Sequence, residues 1–225
     1  DTTLTVVRLS SERRPLASVS ALYRLSQHID EHWGLAQALN SELANRQASL
    51  LAAGPAQPQA TERLLFAAAT AANIGERGLA LACLERLDQL PQPWDRIMVQ
   101  PDQRSMLASI ILRIGPHPLT NTLIATAPRR FGDAGAHLVA EVTAGAGERL
   151  RRSPGAAPMA RFLQLGVDTI RNATLTSLHS RRLTAAVFGQ AGLVDEVLAQ
   201  LTTIANVQAA RREGGIALRQ GDPAL

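Results

Sequence analysis

Asn73-Ile-Gly-Glu-Arg-Gly-Leu-Ala-Leu-Ala-Cys-Leu-Glu-Arg-Leu-Asp-Gln-Leu-Pro91 is the stretch that decides the fold class. Its small and apolar residues Leu79, Ala80, Cys83, Leu84 and Leu87 share one face of an α-helix. The stretch therefore predicts an amphipathic helix opened by a glycine turn and closed by a proline. The same plan recurs when the chain is aligned on Gly75, Gly115 and Gly189. Four residues after these glycines stand Leu79, Leu119 and Leu193, and eight after stand Cys83, Leu123 and Val197. Nine after come Leu84, Ile124 and Leu198, and twelve after come Leu87, Ala127 and Leu201. On the preceding side, Ile74, Ile114 and Phe188 lie one residue before the glycine, and Ala71, Ile111 and Ala185 lie four before. Each glycine is expected in a turn between two helices that bury a common stripe.

Gly75 and Gly115 are 40 residues apart, and Gly115 and Gly189 are 74 apart, about twice 37. A further hairpin is expected between the last two. Gly155 fits with Met159, Leu163 and Val167, although Gln164 is polar where the stripe is apolar and Pro154 precedes the turn. The pair around Gly34 fits poorly. A period near 40 with one helical pair per repeat predicts an all-α fold of stacked antiparallel helical hairpins forming an α-α superhelix, a solenoid. At least three such pairs are expected within 61–209, and no sheet.

Apolar spacing gives ten helices, over 16–29, 32–53, 61–74, 77–90, 102–114, 118–127, 131–151, 156–170, 173–188 and 192–209. Thr61, Asp102 and Asn172 each precede an apolar-periodic run and are expected as N-caps. The organisation reads as an N-terminal arm over 1–15, a helical-repeat domain over 16–209 and a tail over 210–225. A break in the domain is allowed at Gly54-Pro-Ala-Gln-Pro-Gln59, the most turn-rich stretch of the chain.

The segment from Asn73 to Pro91 resembles the second half of a tetratricopeptide repeat. In that family a turn glycine is followed by a small residue at the position of Ala80, by apolar residues at the positions of Cys83, Leu84 and Leu87, and often by a closing proline. Thr120 and Val194 stand where the other hairpins should have the small residue, and the first-helix aromatics of the family are missing. The period near 40 also departs from the family's ~34 residues. The resemblance spans about half the chain and implies a tetratricopeptide-like or HEAT-like superhelix, a class whose usual role is protein binding. Fold class alone does not establish that role.

Composition agrees with helices. Hydrophobic residues make up 46% of the 225, led by Ala and Leu, and aromatics only 3%. No apolar stretch approaches the ~20 residues that cross a bilayer. Asp1 to Arg8 carry neither a charged start nor an apolar run, so no signal peptide is expected. Cys83 is the only cysteine and sits among leucines and alanines, as a core residue would. That excludes a disulfide framework and points to a reducing, cytoplasmic setting. Asn172-Ala-Thr174 fits a glycosylation sequon and is read instead as a helix start.

All 23 basic residues are arginine. Without lysine the chain can form neither a P-loop nor a Schiff base to pyridoxal phosphate. It has no G-x-S-x-G elbow and no C-x-x-C pair, and Gly145-Ala-Gly147 lacks the third glycine of a dinucleotide loop. Asp30-Glu31 and Asp195-Glu196 are sequence neighbours, so on a helix they point ~100° apart and make poor acid/base couples. The expectation is a non-enzymatic scaffold that uses no cofactor and holds a partner protein or another copy of itself.

Two other classes carry specific residues. His28-Ile-Asp-Glu-His32 matches H-x-x-E-H, in which two histidines share a helix face, hold zinc, and flank a base for the metal-bound water, here Glu31. A metal-dependent hydrolase on these residues is the remote alternative, against a solvated helix end with Trp33 packed inward. Charge supplies the nearer one. Residues 1–128 hold 11 Arg and 11 acids, while 129–225 hold 12 and 8, which places the whole net charge of +4 in the second part. The pairs Arg129-Arg130, Arg151-Arg152, Arg181-Arg182 and Arg211-Arg212 suit phosphate, making a nucleic-acid-binding helical-repeat protein the alternative. Several of these arginines fall near expected helix ends, where a cation complements the C-terminal dipole.

Pro91-Gln-Pro-Trp-Asp-Arg-Ile-Met-Val-Gln-Pro101 carries an apolar load unusual for a loop. Trp94 and Met98 either seal the ends of the flanking hairpins or stay exposed as partner anchors. With Arg151, Arg152, Arg181 and Arg182 they form the candidate partner-binding set.

Overall fold

A computed structural model describes residues 15–32, 34–52, 54, 59–153, 155–173, 178–190, 197–199, 201–209 and 212. Among them every regular element is a helix, and no strand is present. The elements are α1 (Pro15–Ser26), α2 (Leu35–Leu51), α3 (Ala60–Asn73), α4 (Arg77–Asp88), α5 (Pro93–Val99), α6 (Pro101–Ile114), α7 (Pro118–Arg152), α8 (Ala157–Arg171) and α9 (Leu178–Gln190). Residues 197–199 and 201–209 are also helical. The chain divides into two compact units, Asp1–Asn121 and Thr122–Leu225. The stretch 54–59 lies inside the first unit. Residues 1–14 and most of 210–225, the expected arm and tail, lie outside the described residues, as does Trp33.

In the first unit α3 is the hub, packing against α1, α2, α4 and α6. Its sequence explains how one helix meets four neighbours. Ala67, Ala68, Ala69, Ala71 and Ala72 are all buried, and their methyl side chains, spread over about 200° of the helix, let surrounding backbones approach closely. The fully buried Thr70 satisfies its hydroxyl by donating to the Phe66 carbonyl, 2.8 Å away. Asn73 Nδ2 donates to Ser26 Oγ at 2.8 Å, and the Tyr23 and Phe66 rings lie 5.5 Å apart, so both polar and aromatic contacts tie α3 to α1.

Gly75 ends α3 as the repeat alignment expects. Its φ is +86°, the Glu76 N–H donates to the Ala71 carbonyl at 2.8 Å, and its own N–H donates to Ala72 at 3.3 Å. This pair of bonds is the Schellman motif, which needs a residue without Cβ penalty at the left-handed position. Gly115 stops α6 differently, with φ +79° and ψ −169°, a region open essentially to glycine alone. Its carbonyl accepts from Thr120 Oγ1 at 3.0 Å, while the His117 N–H donates to that same oxygen. His117 Nδ1 in turn accepts from the Leu119 N–H, so the start of α7 carries a reciprocal cap built from His117 and Thr120. The stripe shared by these two turns is buried: Cys83, Leu84 and Leu87 on α4, and Leu123, Ile124 and Ala127 on α7.

Three sequence expectations need correction. Thr61 and Asp102 are not N-caps; the caps are Gln59 and Gln100, which leaves each of these residues at the second helical position. Asn172 caps the C-terminus of α8 rather than starting a helix, donating from Nδ2 to the Asp168 carbonyl at 2.8 Å. Gly189 is not a turn, because α9 continues through it to Gln190. Val197 Cγ2 stands 3.7 Å from where a Cβ on Gly189 would be, an ordinary van der Waals distance.

In the second unit, α7 consists of two helices meeting at Gly132 (φ +56°, ψ −134°). The sequence placed the interruption between helices over 118–127 and 131–151, but Pro128 lies inside the helix, and the backbone reverses only where glycine permits it. Beyond the break Gly135 sits so near Ala127 that a Cβ would fall 2.0 Å from that carbonyl oxygen. Gly166 of α8 meets Thr143 of α7 as closely, and His137 Nε2 lies 3.1 Å from Ser180 Oγ on α9.

Candidate interaction surfaces

The connection from Pro91 to Pro101 is not a loop. Pro93 occupies the first turn of α5, where its missing N–H costs nothing, and the segment winds into a short helix that packs on α4 and α6. Trp94 and Met98 are each 2% exposed, and Ile97 is fully buried. Trp94 Nε1 donates to Asp88 Oδ1 at 2.6 Å, which satisfies the one polar atom of the indole. These residues seal the helix ends and offer no surface to a partner. What α5 does present is Val99, 80% exposed beside a 500 Å³ hollow also lined by Glu62, Asp95 and Arg96.

Arg151 and Arg152 lie exposed in the last turn of α7, where their charge complements the helix dipole. Arg152 pairs with Glu148 at 2.5 Å, one turn back. Arg181 and Arg182 stand fourth and fifth in α9, the end at which the dipole disfavours a cation. Arg129 and Arg130 are exposed on α7, and Arg130 lies 5.0 Å from the Phe131 ring centroid. A 740 Å³ groove within the second unit runs past Arg129, Asp168 and Asn172.

His28, Glu31 and His32 do not share an α-helical face. His28 and His32 flank a 3₁₀ turn, Ile29–Glu31, and the tighter winding rotates residues four apart away from each other. His28 Nδ1 is instead 3.1 Å from Glu31 Oε2 in an exposed contact. Among the described residues no group of three His, Cys, Asp or Glu side chains is placed to hold a metal ion.

Ser180 and His137 are a nucleophile and a base within reach of each other, but Ser180 is 1% exposed, so its hydroxyl does not face a substrate. Cys83 is fully buried as its neighbours suggested, and burial pushes its thiol up to about 12, far from a reactive thiolate. No helix among the described residues is long and apolar enough to cross a membrane.

Two surface residues escaped the sequence reading. Leu198 and Leu201 are 55% and 49% exposed, although they occupy the same repeat positions as the buried Leu84 and Leu87. The available signal was the absence of any charged residue from Val197 to Ala209. Compared with family models, with curated proteins and with solved structures, the chain matches none.

Proposed function

We propose that the chain is a non-catalytic protein-interaction scaffold, built from antiparallel helical hairpins that stack as a tetratricopeptide-like or HEAT-like solenoid. The observation that carries this reading is the common burial pattern after Gly75 and Gly115, in which the residues eight, nine and twelve positions on are covered in both α4 and α7. A reused packing plan is the mark of repeat architectures, which present extended surfaces to partners. The buried, lone Cys83 suits a reducing, cytoplasmic setting. Capture of partners by the tagged chain from host lysate, with and without nuclease, tests the reading. A protein partner retained after nuclease treatment supports it.

A nucleic-acid-binding role is the second reading, favoured by one observation. Arg182 is exposed and, like Arg181, stands far from the C-terminal end of α9, so the attraction of a helix C-terminus for cations does not explain this pair. Loss of all captured material on nuclease treatment would promote this reading over the first.

A further inference from the structure

The helical residues at the C-terminal end of the second unit have two unlike faces. Val197 and Ile204 turn inward, Val197 against Gly189 and Ile204 6% exposed. Leu198, Leu201, Thr202, Ala205 and Ala209 are exposed, and at ~100° per residue they fall within one arc about 100° wide. An exposed stripe of two leucines and two alanines on a charge-free stretch of thirteen residues has the composition of an interface core. In α4 and α7 the positions equivalent to Leu198 and Leu201 are buried.

We propose that this face pairs with the same face of a second copy of the chain, antiparallel about a two-fold axis near Thr203 and Ile204. The inference rests on the scaffold reading and names one partner for it. Two features select a copy of the chain over an unrelated helix. First, the stripe is self-complementary in size at two of its levels: antiparallel pairing sets Leu198 over Ala209 and Thr202 over Ala205, large against small, while Leu201 stands level with Asn206. Second, it is self-complementary in charge. In the sequence Asp195 and Glu196 precede the uncharged stretch and Arg211, Arg212 and Glu213 follow it, net −2 before and +1 after, so antiparallel copies oppose the acidic end to the basic one, whereas parallel copies would oppose like to like. A helix of this length, ~20 Å, buries less than the ~1,600 Å² of a standard interface, which makes association micromolar rather than nanomolar.

Sedimentation of the purified chain between about 1 and 200 μM tests this, since micromolar association falls within that range. The expected result is a monomer that becomes a dimer as concentration rises, weakened at least tenfold by Leu198→Asp with Leu201→Asp while the helical circular dichroism stays unchanged. Thr202→Cys with Ala205→Cys supplies a second readout. Oxidation should link two copies, and the buried Cys83 does not compete. A chain that stays monomeric to about 200 μM overturns the proposal, whether a different protein's helix or residues 213–225 cover the stripe. So does a dimer untouched by the aspartates, or a cysteine variant that forms no linked dimer. Should the aspartate variant lose its helical signal, the cross-link alone decides. A monomeric chain that still retains a nuclease-resistant partner overturns only this inference, while a dimer that captures nothing overturns the search for an outside partner.

Discussion

The indole N–H of Trp94 meets the carboxylate of Asp88 at 2.6 Å, joining the first turn of α5 to the last residue of α4. Around that bond the ring is almost wholly buried. Trp94→Ala should therefore cost about 3 to 5 kcal/mol of stability, and Trp94→Phe, which keeps much of the volume but leaves the Asp88 carboxylate without its donor, clearly less. Chemical denaturation of both variants checks the order. A normal melt for Trp94→Ala would contradict the sealing role.

Gly166 lies where a Cβ would come within 1.9 Å of Thr143 Oγ1, and that hydroxyl is already donated to the Val139 carbonyl at 2.6 Å. Neither partner has room to move, since Thr143 is 1% exposed. Gly166→Ala should destabilise by about 1 to 3 kcal/mol despite the better helix propensity of alanine. Adding Thr143→Ala should recover part of the loss, and a double-mutant cycle showing additivity would refute the contact.

For Cys83 the sign of the pH dependence follows from burial. The folded thiol holds its proton up to about 12 against an ordinary value of 9.0, so its contribution is fully present below pH 9.0 and fades between there and 12. The slope is about 1.4 kcal/mol per pH unit. With no lysine and a single tyrosine in the chain, few other groups exchange protons in that window. Cys83→Ala should flatten the alkaline decline, and a thiol reagent should label the native chain only at the rate of its opening.

The arginines of the second unit should give weak, salt-sensitive binding to nucleic acid without sequence preference. Replacing Arg151, Arg152, Arg181 and Arg182 with Gln should lower the slope of log K against log salt by no more than the number of phosphates they meet. Submicromolar binding at physiological salt that is lost in this variant would overturn the scaffold reading.

Much of the helical framework was legible because apolar periodicity depends on local geometry alone. Nearly every expected span has a helix within a few residues of it, and the residues eight, nine and twelve after Gly75 and Gly115 are buried as their spacing required, while Leu79 and Leu119 at four are half-buried. What could not be read are choices made by neighbours. Nothing local tells Gly75, which needs positive φ, from Gly189, which stays helical. The break expected between 127 and 131 falls at Gly132, where the reversal needs glycine. Leu84 and Leu198 share an offset and differ only in whether another helix lies over them.

The alanines of α3 carry a consequence for how the chain can change over generations. From Ala67 to Ala72 every residue of α3 is buried, so a bulkier residue there does not go unnoticed and neutral drift is closed to that turn and a half. A saturation library of the first unit should show Ala67, Ala68, Ala69, Ala71 and Ala72 rejecting nearly everything larger than serine. The exposed positions of α2, such as Gln37, Ala44 and Gln47, should accept most replacements. Lineages of this chain would then diverge around an almost unvarying centre, and distant members would be easiest to find by that run of small residues.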